Sequence, residues 1–120
     1  MAGKPVQVEF TVGDTKRATK FYGDLFGWQF QDYGGPTEYL MASSSEDSGV
    51  GVMPGDAKEV RVYFDVDDVQ ASRQRVEELG GSAEDAMPVP NMGWFARCTD
   101  TEGIPFGLWQ TDPNAQMPQQ

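Results

Sequence analysis

The alternation of apolar and polar residues near the start of the chain predicts a strand that buries one face. Its apolar positions are Val6, Val8, Phe10 and Val12. Asp14 then suits the N-cap of a helix, because its carboxylate can accept a hydrogen bond from the first turn. Gly27 suits the left-handed residue that ends a helix. Between these two, the helical face expected to be buried carries Ala18, Phe21, Tyr22 and Leu25.

The second half of the chain repeats this pattern. The matching positions are Val8 and Val62, Phe10 and Phe64, Val12 and Val66, Asp14 and Asp68, Leu25 and Leu79, and Gly27 and Gly81. Such a repeat indicates two similar units, which we predict over residues 5–55 and 56–112, each with a strand, a helix and three further strands. Because neither half can cover its own sheet, we expect one domain over residues 1–112 and a disordered tail over 113–120.

Shorter patterns place the remaining elements. Further strands are predicted at residues 28–33, 37–42, 50–53, 60–66, 82–87, 93–99 and 104–110. The run of serines and acidic residues at 43–48 predicts a polar loop. Pro88 and Pro90 argue against regular structure around them, because proline has no N–H to give to a sheet.

Composition narrows the classes of function. The 120 residues carry a net charge of −10, which argues against a nucleic-acid partner because phosphate binding needs an excess of Lys and Arg. An acidic field favours cationic or neutral small molecules, or serves solubility alone. Cys98, the only cysteine in a chain without histidine, is expected to be a structural thiol. No apolar run predicts a signal peptide or a membrane span, so we expect a cytoplasmic protein without membrane association.

Three groups of short motifs stand at the ends of the predicted elements. They are Phe21-Tyr22 with Leu25-Phe26-Gly27-Trp28, then Val66-Asp67-Asp68-Val69, and then Asn91-Met92-Gly93-Trp94-Phe95-Ala96 with Phe106-Gly107-Leu108-Trp109-Gln110. Together they resemble the glyoxalase-like branch of the vicinal oxygen chelate superfamily, which includes glyoxalase I, bleomycin-resistance proteins and extradiol dioxygenases. The resemblance covers nearly the whole chain. It implies an α+β fold in which two βαβββ units form a U-shaped mixed sheet around a cup.

The same resemblance implies four places where the family holds a divalent metal. They fall on Gln7, on Arg61, on Gly107 and near residues 51–53. Gln7 is compatible with a metal ligand, but a guanidinium has no lone pair to give and glycine has no side chain. We therefore predict no bound metal and no other cofactor. An all-oxygen site made from Glu9 and Asp65 is the alternative.

Strand parity predicts which side chains face the cup. The candidate ligand-binding residues are Gln7, Glu9, Tyr39, Met53, Arg61, Tyr63, Asp65, Arg97 and Trp109. On the strand at 93–99 we expect Trp94, Ala96 and Cys98 to face the helix, and Phe95 and Arg97 to face the cup. Glu9 and Arg61 form a natural ion pair, because buried charges are costly unless paired. That pair either satisfies only itself or orients a ligand, with Glu9 as the candidate catalytic base.

Two classes of function remain. One is a small-molecule-binding protein with a degenerate metal site that sequesters a cationic or aromatic compound, as the bleomycin-resistance relatives do. The other is a lyase or isomerase of the glyoxalase I type, either metal-dependent or with Glu9 as the base. Relatives pair their units within one chain or across two, so the sequence leaves a homodimer open.

Overall fold

The computed structural model of the chain describes residues 3–32 and 38–116. Packing divides these residues into two compact units: unit N is Val6–Arg61, and unit C contains the other described residues. The sequence repeat places the border at residues 55/56 instead. The border by packing comes after Arg61, within the strand Glu59–Asp65.

Unit N has the predicted order of a strand, a helix and three further strands. These are β1 (Lys4–Val12), α1 (Thr15–Phe26), β2 (Gln31–Asp32), β3 (Leu40–Ser45) and β4 (Ser48–Pro54). β1 runs parallel to β4, β4 is antiparallel to β3, and β3 is antiparallel to β2. The predicted helix ends are confirmed: Asp14 accepts a hydrogen bond from the Arg17 N–H at 3.0 Å, and Gly27 has a φ of 76°.

The prediction of which face of α1 is buried is only half right. Thr15 is buried and Ala18 and Tyr22 are half-buried, and the Tyr22 ring stacks on Phe10 with 4.9 Å between ring centroids. Phe21 and Leu25 were expected on this face but are 60% and 58% exposed. A helix on a sheet buries only a stripe of its surface, and the stripe here is centred on Thr15 and Tyr22 rather than on Phe21 and Leu25.

Three predictions for the first half of the chain are corrected by the structure. The strand expected at 28–33 is only Gln31–Asp32, because Trp28 packs against Phe26 at 4.6 Å between centroids instead of joining the sheet. The strand expected at 37–42 is Leu40–Ser45; residues 33 and 37 lie outside the described ranges.

The serine-rich run at 43–48 is not a loop. β3 extends to Ser45 and β4 begins at Ser48, so the two form a hairpin with its tip at Glu46 and Asp47. The hydroxyls of Ser44 and Ser45 lie 2.8 Å and 2.7 Å from that of Ser48. These hydrogen bonds link serine side chains near the hairpin tip, which explains how a polar run can continue as paired strand.

The strand β5 (Glu59–Asp65) begins in unit N and has its last four residues in unit C. The other elements of unit C are α2 (Val69–Glu78), β6 (Ser82–Ala83), β7 (Met87–Val89), β8 (Gly93–Thr99) and β9 (Pro105–Thr111). β5 runs parallel to β9, and β9 is antiparallel to β8, which also pairs with β6 and β7. Asp68 caps α2 by accepting from the Ala71 N–H at 3.1 Å. The residue with a left-handed φ after α2 is Gly80, at 98°, and not the repeat-matched Gly81.

The proline-rich stretch of unit C was expected to be irregular, and the structure corrects this. The strand predicted at 82–87 is split into β6 and β7, and β7 includes Pro88, which lies opposite Trp94. Every second residue of an antiparallel edge strand turns its N–H away from its neighbour, and a proline is tolerated there.

The hydrophobic core of unit C lies between α2 and one face of the sheet. Its buried cluster is Val66, Val69, Ala96, Cys98 and Leu108. Trp94 packs against this cluster. The predicted parity of Trp94, Ala96 and Cys98 is therefore confirmed, and burial of the thiol agrees with the structural role expected for it.

The prediction of a disordered tail over residues 113–120 is wrong for its first residues. Ala115 has no exposed surface, and its carbonyl accepts a hydrogen bond from the Asn91 N–H at 2.9 Å. The Asp112 carboxylate accepts from the Trp94 indole N–H at 3.0 Å, which ties the start of this segment to β8. Residues 117–120 lie outside the described ranges. In the described part of the chain neither helix is long and apolar enough to cross a membrane.

Candidate functional site

A buried carboxylate lies in the middle of β1. Glu9 is 4% exposed, and its Oε1 accepts a hydrogen bond from the Tyr39 hydroxyl at 3.1 Å. The same hydroxyl accepts from the Gln7 amide N–H at 3.2 Å. Gln7 and Glu9 are two residues apart on a strand, so both side chains project from the same face of the sheet. Tyr39, just before β3, links them on that face.

Arg61 supplies the positive charge next to Glu9. Its Nε lies 4.0 Å from Glu9 Oε2, and its Nη2 donates to Glu59 Oε1 at 3.0 Å. The predicted ion pair with Glu9 is confirmed, but the guanidinium is shared with a second carboxylate. Glu9, Arg61 and Glu59 together carry a formal charge of −1. We call Gln7, Glu9, Tyr39 and Arg61 the glutamate network.

Gly51 makes room for Tyr39. β4 places Gly51 directly beside Glu9 on β1, and a side chain at that position would collide with the Tyr39 hydroxyl. Gly49 has the same relation to Gln7, since a Cβ there would lie 2.6 Å from the Gln7 amide oxygen. The predicted contact Met53 is half-buried on the same strand, beside Thr11.

Unit C presents a second group of predicted residues, on the face of the sheet opposite its core. Tyr63 on β5 and Arg97 on β8 lie on either side of Gly107 on β9. Arg97 Nε donates to the Tyr63 hydroxyl at 3.3 Å, and Tyr63 is 5% exposed. The Tyr63 ring fills the space that a side chain at Gly107 would need.

The neighbouring row across the same strands is Asp65, Trp109 and Phe95. Phe95 meets the Tyr63 ring edge to face at 6.3 Å between centroids, and the Arg97 guanidinium carbon lies 5.5 Å from the Phe95 centroid. The Trp109 indole N–H donates to the Thr111 hydroxyl at 3.1 Å. We call Tyr63, Phe95, Arg97 and Trp109 the arginine face.

The structure thus brings the predicted residues together in two groups, one in each unit. Sequence reasoning missed Glu59 and underestimated Phe95, which it placed on the right face but did not count as a ligand contact. A signal for Glu59 exists, because it is two residues before Arg61 and on a strand this spacing puts both side chains on one face. The role of each residue in binding stays a prediction.

The residues at the family's metal-binding positions do not fit a metal. The Gln7 amide is bonded to Tyr39, Arg61 is a cation, and Gly51 and Gly107 have tyrosine rings where a ligand side chain would project. Among residues 3–32 and 38–116 there is no group of three or more His, Cys, Asp or Glu side chains that could hold an ion.

We accordingly predict that protein purified without chelators contains only substoichiometric transition metal, as measured by elemental analysis. The physical reason is the donor set: Gln7 offers one amide oxygen, whereas the guanidinium of Arg61 and the glycines at positions 51 and 107 offer no lone pair. About one equivalent of zinc, nickel or iron that survives dialysis and is lost in Gln7→Ala would contradict this.

Comparison with solved structures defines the class of fold. Methylmalonyl-CoA epimerase from Mycobacterium tuberculosis matches with a TM-score of 0.73 at 14% identity, over 92% of this chain and 89% of that one. Homoprotocatechuate 2,3-dioxygenase from Brevibacterium fuscum matches with a TM-score of 0.73 at 19% identity, over 97% of this chain and 38% of that one. The chain therefore has the α+β glyoxalase/dioxygenase fold, as predicted.

The sequence comparisons then give the family. The model of the glyoxalase-like domain matches residues 7–109, so the chain belongs to the glyoxalase-like family of the vicinal oxygen chelate superfamily. A protein of Mycobacterium bovis named "Putative glyoxylase CFP32" is 33% identical over 92% of this chain. A "Glyoxylase-like domain-containing protein" of Didymella fabae is 29% identical over 80% of this chain and 84% of its own length. The chain spans only 46% of the length of the mycobacterial relative.

Proposed function

We propose that the chain binds a small organic molecule without a metal, at the glutamate network of unit N, and sequesters a cationic or aromatic compound. The observation that carries this proposal is Glu9, a carboxylate that is almost fully buried in the middle of a strand. Burial of a charge is costly unless it is paired, and the guanidinium that pairs with Glu9 is shared with Glu59, which leaves one negative charge in excess. A cationic ligand would balance this excess, and that is the role we assign to the buried carboxylate.

The class of ligand follows from the groups around Glu9. The two carboxylates of Glu9 and Glu59 outweigh the single guanidinium of Arg61, so the local charge attracts cations. Tyr39 and Gln7 are half-buried and adjoin Glu9. Tyr39 offers an aromatic ring to a cation, and Gln7 offers an amide for orientation. The net charge of −10 supports the same preference at long range.

The second candidate function is an isomerase or lyase of the glyoxalase type, and the same carboxylate favours it. Glu9 would take a proton from a carbon next to a carbonyl and return it elsewhere on the substrate, which consumes no co-reactant. Methylmalonyl-CoA epimerase in complex with methylmalonyl-CoA is among the similar solved structures, at 11% identity and a TM-score of 0.75. A Glu9→Gln variant separates the two functions, because an enzyme would keep binding and lose turnover.

The test of binding is a thermal-shift screen of cationic and aromatic compounds, followed by calorimetry with the best of them. The double variant Glu9→Gln/Arg61→Gln is expected to bind that compound at least about tenfold more weakly, because charge-assisted contacts are lost.

The matched control is Arg75→Gln/Glu78→Gln. It removes an exposed ion pair of α2 with an N–O distance of 3.2 Å and leaves the net charge the same as in the first double variant. The control is expected to bind like the parent. If the Glu9/Arg61 double variant also binds like the parent, the pair is structural and the proposal fails.

A further inference from the structure

We propose that the arginine face of unit C binds the anionic group of a planar organic acid, of the class of aromatic carboxylates, with its ring against the aromatic side chains. This inference goes beyond the proposed function, because it assigns a ligand class to a second set of residues in the other unit. The ligand of the arginine face is an anion, whereas the glutamate network favours cations.

Arg97 is held in place on this face by its neighbours. Its Nε donates to the hydroxyl of Tyr63, a residue that is itself almost fully buried, and its guanidinium carbon lies 5.5 Å from the centre of the Phe95 ring. A guanidinium whose position is fixed loses little side-chain entropy when it binds, and its planar fork matches a carboxylate.

The aromatic rings next to Arg97 form a surface suited to a planar group. The Tyr63 ring lies against Gly107, and the Trp109 ring lies against Gly93, where a Cβ would come within 2.6 Å of it. Both rings therefore lie close to the backbone of the sheet. Phe95 on β8 lies opposite Trp109 and meets the Tyr63 ring edge to face. An aromatic ligand can stack or meet these rings edge to face.

The internal repeat indicates that the fold itself does not require an arginine here. Arg97 lies opposite Gly107 on the neighbouring strand, and in unit N the corresponding position opposite Gly51 is Met41. The same strand arrangement therefore forms with an uncharged side chain. The strand arrangement does not by itself require a guanidinium here, and binding of an anion is a use that the position of Arg97 supports.

Asp65 sets the orientation of the ligand. It lies on β5, on the far side of β9 from β8, about 10 Å across the sheet from the β8 backbone that carries Arg97. Its carboxylate repels an anion, so the carboxylate of the ligand is expected at the Arg97 end. The net charge of the chain opposes anions at long range as it favours cations, and physiological salt weakens both effects beyond about 8 Å, so the contact with Arg97 has to supply the attraction.

The test uses benzoate, its neutral analogue benzamide and the cation benzylammonium at millimolar concentration with the full chain. Binding is followed by the Trp109 indole N–H resonance in nitrogen-15 spectra, assigned with Trp109→Phe. Benzoate is expected to shift this resonance saturably, and benzamide to bind at least about tenfold more weakly. Arg97→Gln is expected to weaken benzoate binding by a similar factor, and Arg97→Lys to weaken it less because the charge remains.

The matched control is Arg75→Gln, which removes the same charge from the solvent-exposed side of α2 and should leave benzoate binding unchanged. Three results would overturn the inference. The first is the absence of any shift with benzoate, and the second is equal binding of benzoate and benzamide. The third is parental binding by an Arg97→Gln variant whose thermal transition is unchanged. If Arg97→Gln does not fold, parental binding by Arg97→Met, which carries the uncharged side chain found at the corresponding position of unit N, overturns it. A shift of residues around Glu9 with benzylammonium, without any response to benzoate, would leave the proposed function standing and remove this inference alone.

Discussion

Replacing Gly107 with alanine is expected to lower the free energy of unfolding by about 2–3 kcal/mol. A methyl group at this position collides with the Tyr63 ring at Cγ and Cδ2, atoms close to the β5 backbone, so the side chain cannot swing away at its tip. Tyr63 is also hydrogen-bonded to Arg97 and almost fully buried, so any shift of its ring disturbs its neighbours. Urea unfolding with a fixed m-value measures the change.

Two further variants identify the cause of that loss. Gly13→Ala is the control, because the nearest atom to a Cβ there is Lys58 Cε at 4.0 Å, and a change within about 0.5 kcal/mol is expected. In a Tyr63→Ala background, Gly107→Ala is expected to cost nothing further, since the ring is gone. A loss of the same size in both backgrounds would mean that the backbone, and not Tyr63, demands glycine.

Replacing Arg61 alone with glutamine is expected to cost about 1–3 kcal/mol of stability, and replacing Glu9 and Arg61 together is expected to cost less. The single change leaves the buried Glu9 carboxylate short of its cation, whereas the double change leaves no charge at either position. A glutamine at position 9 still has an oxygen that can accept from the Tyr39 hydroxyl. Equilibrium unfolding of four proteins, the parent, Glu9→Gln, Arg61→Gln and the double variant, gives the coupling energy directly.

Arg75→Gln serves again as the reference, because its partner Glu78 is exposed and the pair is expected to contribute less than about 1 kcal/mol. If the double variant loses as much stability as the two single variants summed, then Glu9 and Arg61 act independently. The 4.0 Å contact between them would then be incidental.

Much of the candidate site could be predicted from the sequence, because a strand alternates its side chains between two faces. Once Val8 and Phe10 were assigned to the helix side, Gln7 and Glu9 had to share the other. The same parity placed Arg97 and Phe95 together on β8. The partners of these residues could not be derived this way. Tyr39 bonds Glu9 across thirty positions of chain, and the predicted strand around Tyr39 began before the observed β3.

The sequence by itself determined the elements and their repeat. Examples are the helix caps at Asp14 and Asp68 and the two strand–helix units. These features are local, since they depend on residues a few positions apart. Tertiary structure alone decided which stripe of α1 is buried, and it left Phe21 and Leu25 exposed. It also decided that tyrosine rings fill the space beside Gly51 and Gly107. These outcomes depend on strand register and on volumes shared by residues far apart in the chain, which no local pattern of polarity contains.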